Sequence, residues 1–464
     1  MDELDTDICI IGGGPAGASA ALRLRALGYR VCVLERRVFP RRTAGESLTP
    51  SIEGVLDAIG VRDRLERVLQ RVGAEVRWSW GQAAPPEGGS PYYCVDRGEF
   101  DACLLEAARA RGVMVFQPAR ALHAARTESG WRILVDPALT VSCRFVMDGA
   151  GRAGFLRHTR HMRRATAPRT LALHGYFRNG GRAEGACVEA APDGWYWGAP
   201  LPSGVFSAMV FLDPEAARSA GRAGLEALFR SRLCSSELFA GFAREPLEGS
   251  VRALDATPYI DAAPAGPGFV KLGEASFALD PLSSTGVEKA MRSAMTGSAV
   301  VHTILARPER AKLANAFYVE RQREAADQHR GYAAEYYRRS FYSDRPFWRL
   351  RGENATPAPQ AEVFATPGPE ALHHRAALSS DARLVEAPCL VGDEIAPVLA
   401  LTARALPRPV AFLHGAEVAP LLAMMVPGEP LHALVQRWAA HVPRRNAVAI
   451  AMWLLARGII ITAL

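Results

Sequence analysis

Glycines at a spacing suited to phosphate chemistry open the chain, in Gly12-Gly13-Gly14-Pro15-Ala16-Gly17. Gly12 permits a tight turn, Gly14 lets the backbone approach a pyrophosphate, and Gly17 lets a helix lie close on a strand. Glu35 stands further on, where a carboxylate can accept hydrogen bonds from a ribose diol. Arg97 begins a second helical stretch from which a guanidinium reaches phosphate. Two side chains are candidates for moving protons, Glu46 and His174. Each has a plainer alternative, Glu46 as a hydrogen-bonding scaffold and His174 as a satisfied core residue. Trp195 and Trp197 read either as walls of a dry cavity or as core packing. The eight cysteines include no C-x-x-C pair and none at zinc spacing to a histidine, so the sequence offers no metal site.

The elements that must position these groups are legible in the hydrophobic pattern. The apolar run 7–11 reads as a buried parallel strand, 18–27 as a helix ended by Gly28, and 29–34 as a second strand closed by Glu35. The glycines thus lie between strand and helix in a βαβ unit, and the helix N-terminus offers free N–H groups to phosphates. A helix is expected from Arg97 to about Arg111, and another after Gly286, carrying Met291, Ala294 and Met295. A strand at 268–272 leads into Gly273-Glu274, and Ser283, Ser284 and Thr285 can cap the helix that follows.

This combination resembles the class A flavoprotein monooxygenases, with the p-hydroxybenzoate hydroxylase-like fold, over residues 5–345. The matching motifs are Gly273-Glu274, Asp280-Pro281 to Val287, and Phe145-Val-Met-Asp148-Gly149-Ala-Gly151-Arg152. The resemblance implies FAD as cofactor and an α/β fold, a Rossmann-like FAD-binding domain interleaved with a mixed-sheet substrate domain. It implies cofactor contacts from Gly12, Gly14, Pro15, Ala16, Gly17, Glu35, Arg36, Arg42, Ser47 and Arg97. Asp148, Glu274, Pro281, Thr285, Gly286 and Val287 complete that set. Glu274 departs from the family's usual aspartate. The implied FAD-binding domain takes residues 1–80, 95–165 and 255–345, and the substrate domain takes 81–94 and 166–254.

Three segments are similar to the branch that holds the flavin-dependent halogenases: Gly45-Glu46-Ser47-Leu48 with Pro50, Arg71-Val-Gly73 to Trp78, and Gly194-Trp195-Tyr196-Trp197-Gly198-Ala199-Pro200. The last looks like W-x-W-x-I-P with Ala199 for isoleucine. Halogenases of this kind need a lysine ammonium to hold the hypohalous acid, and Arg71 occupies the equivalent place. Arginine is permanently protonated and supplies no amine. The resemblance therefore implies oxygen transfer to an aromatic ring through a C4a-hydroperoxyflavin, with Arg71, Trp195 and Trp197 in the substrate pocket. The run Leu279 to Ala290 is similar to flavoproteins that mature the tryptophylquinone cofactor of quinohemoprotein amine dehydrogenase, in which the substrate is a tryptophan side chain of a partner polypeptide. A halogenase of a carrier-tethered aromatic, a geranylgeranyl-reductase-like flavoprotein and a non-enzymatic flavin-bound assembly protein are the alternatives. Electrons would come from NAD(P)H or from a partner flavin reductase.

Composition bounds the rest. Of 464 residues, 55 are basic and 48 acidic, yet lysine appears only at 271, 289 and 312. The arginines are scattered rather than gathered into a basic block, which argues against nucleic acid. Acidic residues near the N-terminus are unlike a signal peptide, and the apolar stretch 447–464 is interrupted by Arg457, so a cytoplasmic, non-membrane protein is expected. Prolines mark 346–372 as a linker. Residues 373–464 read as a winged-helix-like α+β module that helps to dock a protein or peptide substrate.

Overall fold

A ten-residue strand, Asp2–Ile11, runs through the middle of the first sheet. In the computed structural model, residues 2–44, 47–72, 76–81, 92–156, 163–178, 185–353 and 368–463 are described. The strand begins earlier than its apolar run suggests, because Asp2 to Thr6 pair with Leu139 to Cys143. Ladder hydrogen bonds there outweigh the poor strand propensity of the acidic residues. Parallel neighbours are Val31–Leu34 on one side and Leu139–Asp148 on the other, continued by Met114–Phe116 and Phe269–Lys271. The strands Trp131–Asp136 and Arg120–Arg126 add an antiparallel layer to Leu139–Asp148. The helices Pro15–Ala26 and Arg97–Ala110 carry long buried faces. All glycines and acids of the dinucleotide reading therefore lie where the strands of this sheet end, as an open α/β sheet requires.

A second sheet of six strands runs Arg252–Asp255, Leu171–Phe177, Phe206–Leu212, Gly194–Pro200, Cys187–Ala191 and Arg77–Ser79. All its pairings are antiparallel except the last. The strand Arg77–Ser79 thus belongs to this sheet rather than to the FAD-binding part that the sequence assigned it to. Conversely, Tyr92–Cys94 joins Ser47–Leu48 and Gln70–Val72 in a separate small sheet. Alternation along Gly194–Pro200 sends Tyr196 to one face, against Phe229, Leu233 and Phe239, and Trp195 and Trp197 to the other.

By internal contacts the chain forms two compact units, Met1–Leu305 with Tyr318–Thr356, and Ala306–Phe317 with Pro357–Leu464. The expected linker is only partly one. Its first residues form the helix Pro346–Gly352, whose Trp348 is fully buried among Trp80, Trp195 and Tyr337. An indole of that size closes an apolar core, which is why these residues fold with the first unit. Residues 354–367 lie outside the described residues.

The second unit has its own core. The helices Val418–Ala423, Leu431–Trp438 and Arg444–Ala456 bury Leu421, Leu434, Trp438, Ile450 and Leu454 together. The hairpin Arg383–Val391 with Glu394–Thr402 turns at Gly392, whose φ of +59° suits glycine, and Arg375–Leu378 pairs with Ile460–Ala463. Among the described residues, no helix is long and apolar enough to cross a membrane.

Candidate functional site

The glycine turn is closed on one side and open on the other. A Cβ on Gly12, which has φ +101°, would lie 2.5 Å from the Gly149 oxygen, and one on Gly17 would overlap the Gly12 oxygen. These two positions lock the turn to the helix start and to the loop after Asp148. At Gly14 the nearest atom to an added Cβ is Nη2 of Arg41, 3.8 Å away. The backbone there faces open space with a guanidinium beside it. No side chain caps the helix Pro15–Ala26, so its leading N–H groups remain for an anion. This is a cradle of the shape and charge a dinucleotide pyrophosphate needs.

Glu35 is buried at the end of its strand and accepts from the Gly13 and Arg37 amides, each at 2.8 Å. Each of its oxygens keeps a further lone pair for a sugar hydroxyl. Arg97 is held by Asp101, at 3.0 and 3.2 Å, and donates to the Ala44 oxygen at 2.8 Å. Arg41 approaches the same buried Asp101 at 3.5 Å. The sequence reading chose Arg42 and missed Arg41. Arg42 turns away to pair with Glu248 and lies over the Tyr176 ring at 5.0 Å, while Arg36 is exposed. Four arginines in the run 36–42 look alike in sequence, and only the fold separates them.

Asp148 also differs from expectation. It is fully buried and accepts from the amides of Ala150, Phe155 and Leu156 at 2.7 to 3.0 Å. Burial pushes its carboxyl up, against the pull of those three donors. The carboxylate is spent on shaping its own loop instead of reaching outward. Arg152 in that loop pairs with Glu274 at 3.3 Å. A Cβ on Gly273 would meet Ala290 at 3.1 Å and Ala16 at 3.3 Å, so three element ends converge there.

The helix Gly286–Ala306 begins after a tight sequence of caps. Asp280 accepts from the Leu282 amide at 3.0 Å and from the Tyr337 hydroxyl at 3.0 and 3.2 Å. Ser284 is held left-handed at φ 51°, a conformation a non-glycine residue adopts only where its surroundings impose it. The Thr285 hydroxyl donates to Ser283 at 3.0 Å, and Gly286 has nothing within 4 Å of an added Cβ. Pro281 forms the preceding turn and Val287 is buried. Burial pushes the Glu288 carboxyl up, but the hydroxyls of Ser51 and Thr49 and the Arg292 guanidinium outweigh it and hold it below the ordinary range. That carboxylate ties the segment after Ser47 to the helix start. Glu46 itself lies outside the described residues.

The remaining candidates divide. His174 is fully buried, with Nε2 2.9 Å from the Ser207 hydroxyl and Nδ1 3.3 Å from Arg252. Burial, with Arg252 adding to it, pushes its pKa down to about 3. An imidazole this enclosed and this weak a base is a core residue, contrary to the general-base reading. Trp195 stacks on Phe211 at 3.8 Å and joins Trp197, Trp80, Trp348 and Tyr337 in one aromatic core. Packing is thus their observed role. Arg71 is exposed on the strand Gln70–Val72 opposite Tyr93. A small polar cleft of about 110 Å³ lies between Arg97 and Tyr176, with Arg42, Ser203 and Glu248 on its walls. Among the described residues, no group of three or more His, Cys, Asp or Glu side chains is placed to hold a metal ion.

The profile of the tryptophan halogenase family matches residues 80–371, more than half of the chain, and that of FAD-dependent oxidoreductases matches 7–49. The chain belongs to the tryptophan halogenase family. This is a family of FAD-dependent flavoproteins that modify aromatic compounds, and FAD is the cofactor the cradle fits. Within the family, the tryptophan 2-halogenase of Chondromyces crocatus is 30% identical over 325 residues, 65% of this chain and 62% of that protein. The chain therefore spans less than two thirds of that relative. The fold is the mixed α/β fold of solved FAD-dependent halogenases. CmlS, a flavin-dependent halogenase, superposes with a TM-score of 0.79 at 21% identity, covering 98% of this chain and 96% of that one. QhpG, a peptidyl tryptophan dihydroxylase essential for tryptophylquinone cofactor biogenesis, superposes with a TM-score of 0.74 at 27% identity, covering 98% and 99%.

Proposed function

We propose that the chain is an FAD-dependent monooxygenase that hydroxylates an aromatic ring, a tryptophan side chain of a partner polypeptide during tryptophylquinone maturation. By similarity alone the alternative, halogenation of a carrier-tethered aromatic, is the better supported, because most named relatives are halogenases. The observation that carries the proposal is chemical: no lysine is available for the hypohalous acid. Arg71 stands where the resemblance puts that lysine, Lys271 is buried in an ion pair with Asp261 at 2.8 Å, Lys289 donates to the buried Phe277 carbonyl, and Lys312 is an exposed residue of the second unit. A guanidinium does not form the neutral amine that such chemistry uses. Likeness to QhpG along nearly the full length of both chains adds to this reading.

When bound and reduced, FAD supplies activated oxygen taken from O₂. The chain's part is to bind, orient and keep dry. Gly14, Ala16 and Arg41 would hold the pyrophosphate, with Pro15 shaping the turn, while Glu35 would hold a ribose diol and Glu274 the ribityl chain. The start of the helix at Gly286 carries a partial positive charge that would stabilise negative charge on a reduced flavin ring placed before it. The aromatic core around Trp195 and Trp348 closes that side to water. The second unit, read as a winged-helix-like module, helps to dock the polypeptide, and electrons arrive from NAD(P)H or a partner flavin reductase.

The test is to incubate the FAD-loaded protein with electron donor, O₂, saturating chloride or bromide and a tryptophan-containing precursor peptide. A product that gains oxygen and no halogen supports the proposal. A product with a chlorine or bromine isotope pattern establishes the alternative.

A further inference from the structure

Side chains from elsewhere in the chain hold the backbone of residues 37–44. The Arg37 carbonyl accepts from Gln117 at 2.7 Å, the Arg42 carbonyl from Arg252 at 3.3 Å, and the Ala44 carbonyl from Arg97 at 2.8 Å. The Arg41 backbone lies against the start of the helix Arg97–Ala110, where a Cβ on Gly98 would meet its nitrogen and its oxygen at 3.1 Å. Arg41 and Arg42 are neighbours in sequence but reach different places. Arg41 stands beside Gly14 at the glycine turn, and its buried Nε has no hydrogen-bond partner among the described residues. Arg42 lies beside the second sheet, where it pairs with the Glu248 carboxylate, donates to the Glu248 carbonyl at 3.3 Å and covers the Tyr176 ring. Glu248 is itself tied to that sheet, its amide donating to the Tyr176 carbonyl at 2.7 Å.

We propose that Arg252 is a positioning residue for the cofactor: by holding the Arg42 carbonyl from the second sheet, it fixes the place of Arg41 at the pyrophosphate. The inference rests on the reading that Arg41 holds the pyrophosphate, and it gives the second sheet a part in retaining FAD. Arg252 is in turn oriented by its neighbours. It stands directly across from His174 in the adjacent strand, with Nη2 3.3 Å from Nδ1 of that imidazole. A guanidinium only donates, so Nδ1 accepts, and Nε2 carries the hydrogen that goes to the Ser207 hydroxyl at 2.9 Å. Burial, which pushes the imidazole down to about 3, keeps that acceptor unprotonated. The guanidinium also lies over the Tyr176 ring, 5.8 Å from its centroid, so three partners set its plane. A slack segment would let Arg41 close on the buried Asp101 carboxylate, 3.5 Å away, and a guanidinium spent on that pair is lost to the phosphate.

The test reads release of FAD from the loaded full chain, followed as the rise of flavin fluorescence on dilution. Arg252→Met keeps bulk over Tyr176 and removes the donors; it is expected to speed release about tenfold, the loss of one hydrogen bond from a charged donor. Glu248→Gln, a milder change nearer the surface, is expected to speed it about threefold. The deciding comparison is made in Arg41→Met, which by itself releases FAD faster. There each further substitution is expected to change the rate by less than about twofold, because both act through Arg41. A merely structural role would multiply the effects instead. Wild-type release from both Arg252→Met and Glu248→Gln, or full multiplication in the double variants, overturns the assignment of Arg252. Wild-type release from Arg41→Met overturns the placement of Arg41 on the pyrophosphate, so the two failures are told apart.

Discussion

Gly12→Ala is the sharpest perturbation of the cradle. The new methyl would stand 2.5 Å from the Gly149 oxygen and 2.7 Å from its carbonyl carbon, both backbone atoms without a rotamer to relieve them. Turn and loop must separate by about 1 Å to reach ordinary contact, an overpacking cost of about 1–3 kcal/mol. The φ of +101° adds backbone strain of about 1–3 kcal/mol for any L residue. The same movement displaces the helix start that faces the pyrophosphate. Losing one or two charge-assisted hydrogen bonds there weakens FAD by about a hundredfold. The assay is titration of apoprotein with FAD, followed by quenching of flavin fluorescence, beside thermal melts of the apoprotein. Gly54→Ala is the control, since that exposed helical glycine has nothing within 4 Å of an added Cβ and alanine favours the helix. Wild-type FAD affinity in Gly12→Ala, with its melting temperature lowered, would refute the placement of the phosphates.

Three further outcomes follow from the same structure. Burial pushes the Lys289 amine down to about 7 from its ordinary 10.5, so between those values the unfolded chain binds more protons and stability rises with pH. Lys289→Met should remove up to ~1.4 kcal/mol per pH unit of that slope in urea unfolding, and parallel wild-type and variant curves would disprove it. His174→Asn should leave the shape of the kcat pH profile unchanged, because the imidazole, at about 3, is neutral wherever the protein is active; loss of an inflection near 6.5 would return it to catalysis. Trp195→Ala should cost about 3–5 kcal/mol in denaturant unfolding through the cavity left against Phe211, and a cost below ~1 kcal/mol would deny the indole its core role.

The cofactor half of the molecule was legible in the sequence because its signals are local. Glycine spacing, strand, helix and terminal acid fall within one short unit, and the second helix start carries its own caps. Such features depend on neighbours along the chain, which a sequence displays directly. The arginines, the tryptophans and His174 depend on neighbours across the fold. Whether Arg41 or Arg42 reaches the glycine turn is decided by Asp101 and Glu248, which lie far along the chain. Asp148 looked outward because its motif does so by resemblance, yet three amides of its own loop claim it.

The most direct measurement of the central claim follows the oxygen atom. FAD-loaded protein, electron donor and a tryptophan-containing precursor peptide are supplied with heavy-isotope O₂ in ordinary water, and the peptide is sequenced by mass spectrometry. Flavin-dependent oxygen transfer predicts the heavy label on the tryptophan ring, absent when FAD is withheld. An unlabelled peptide, or an oxygen drawn from water, would contradict it.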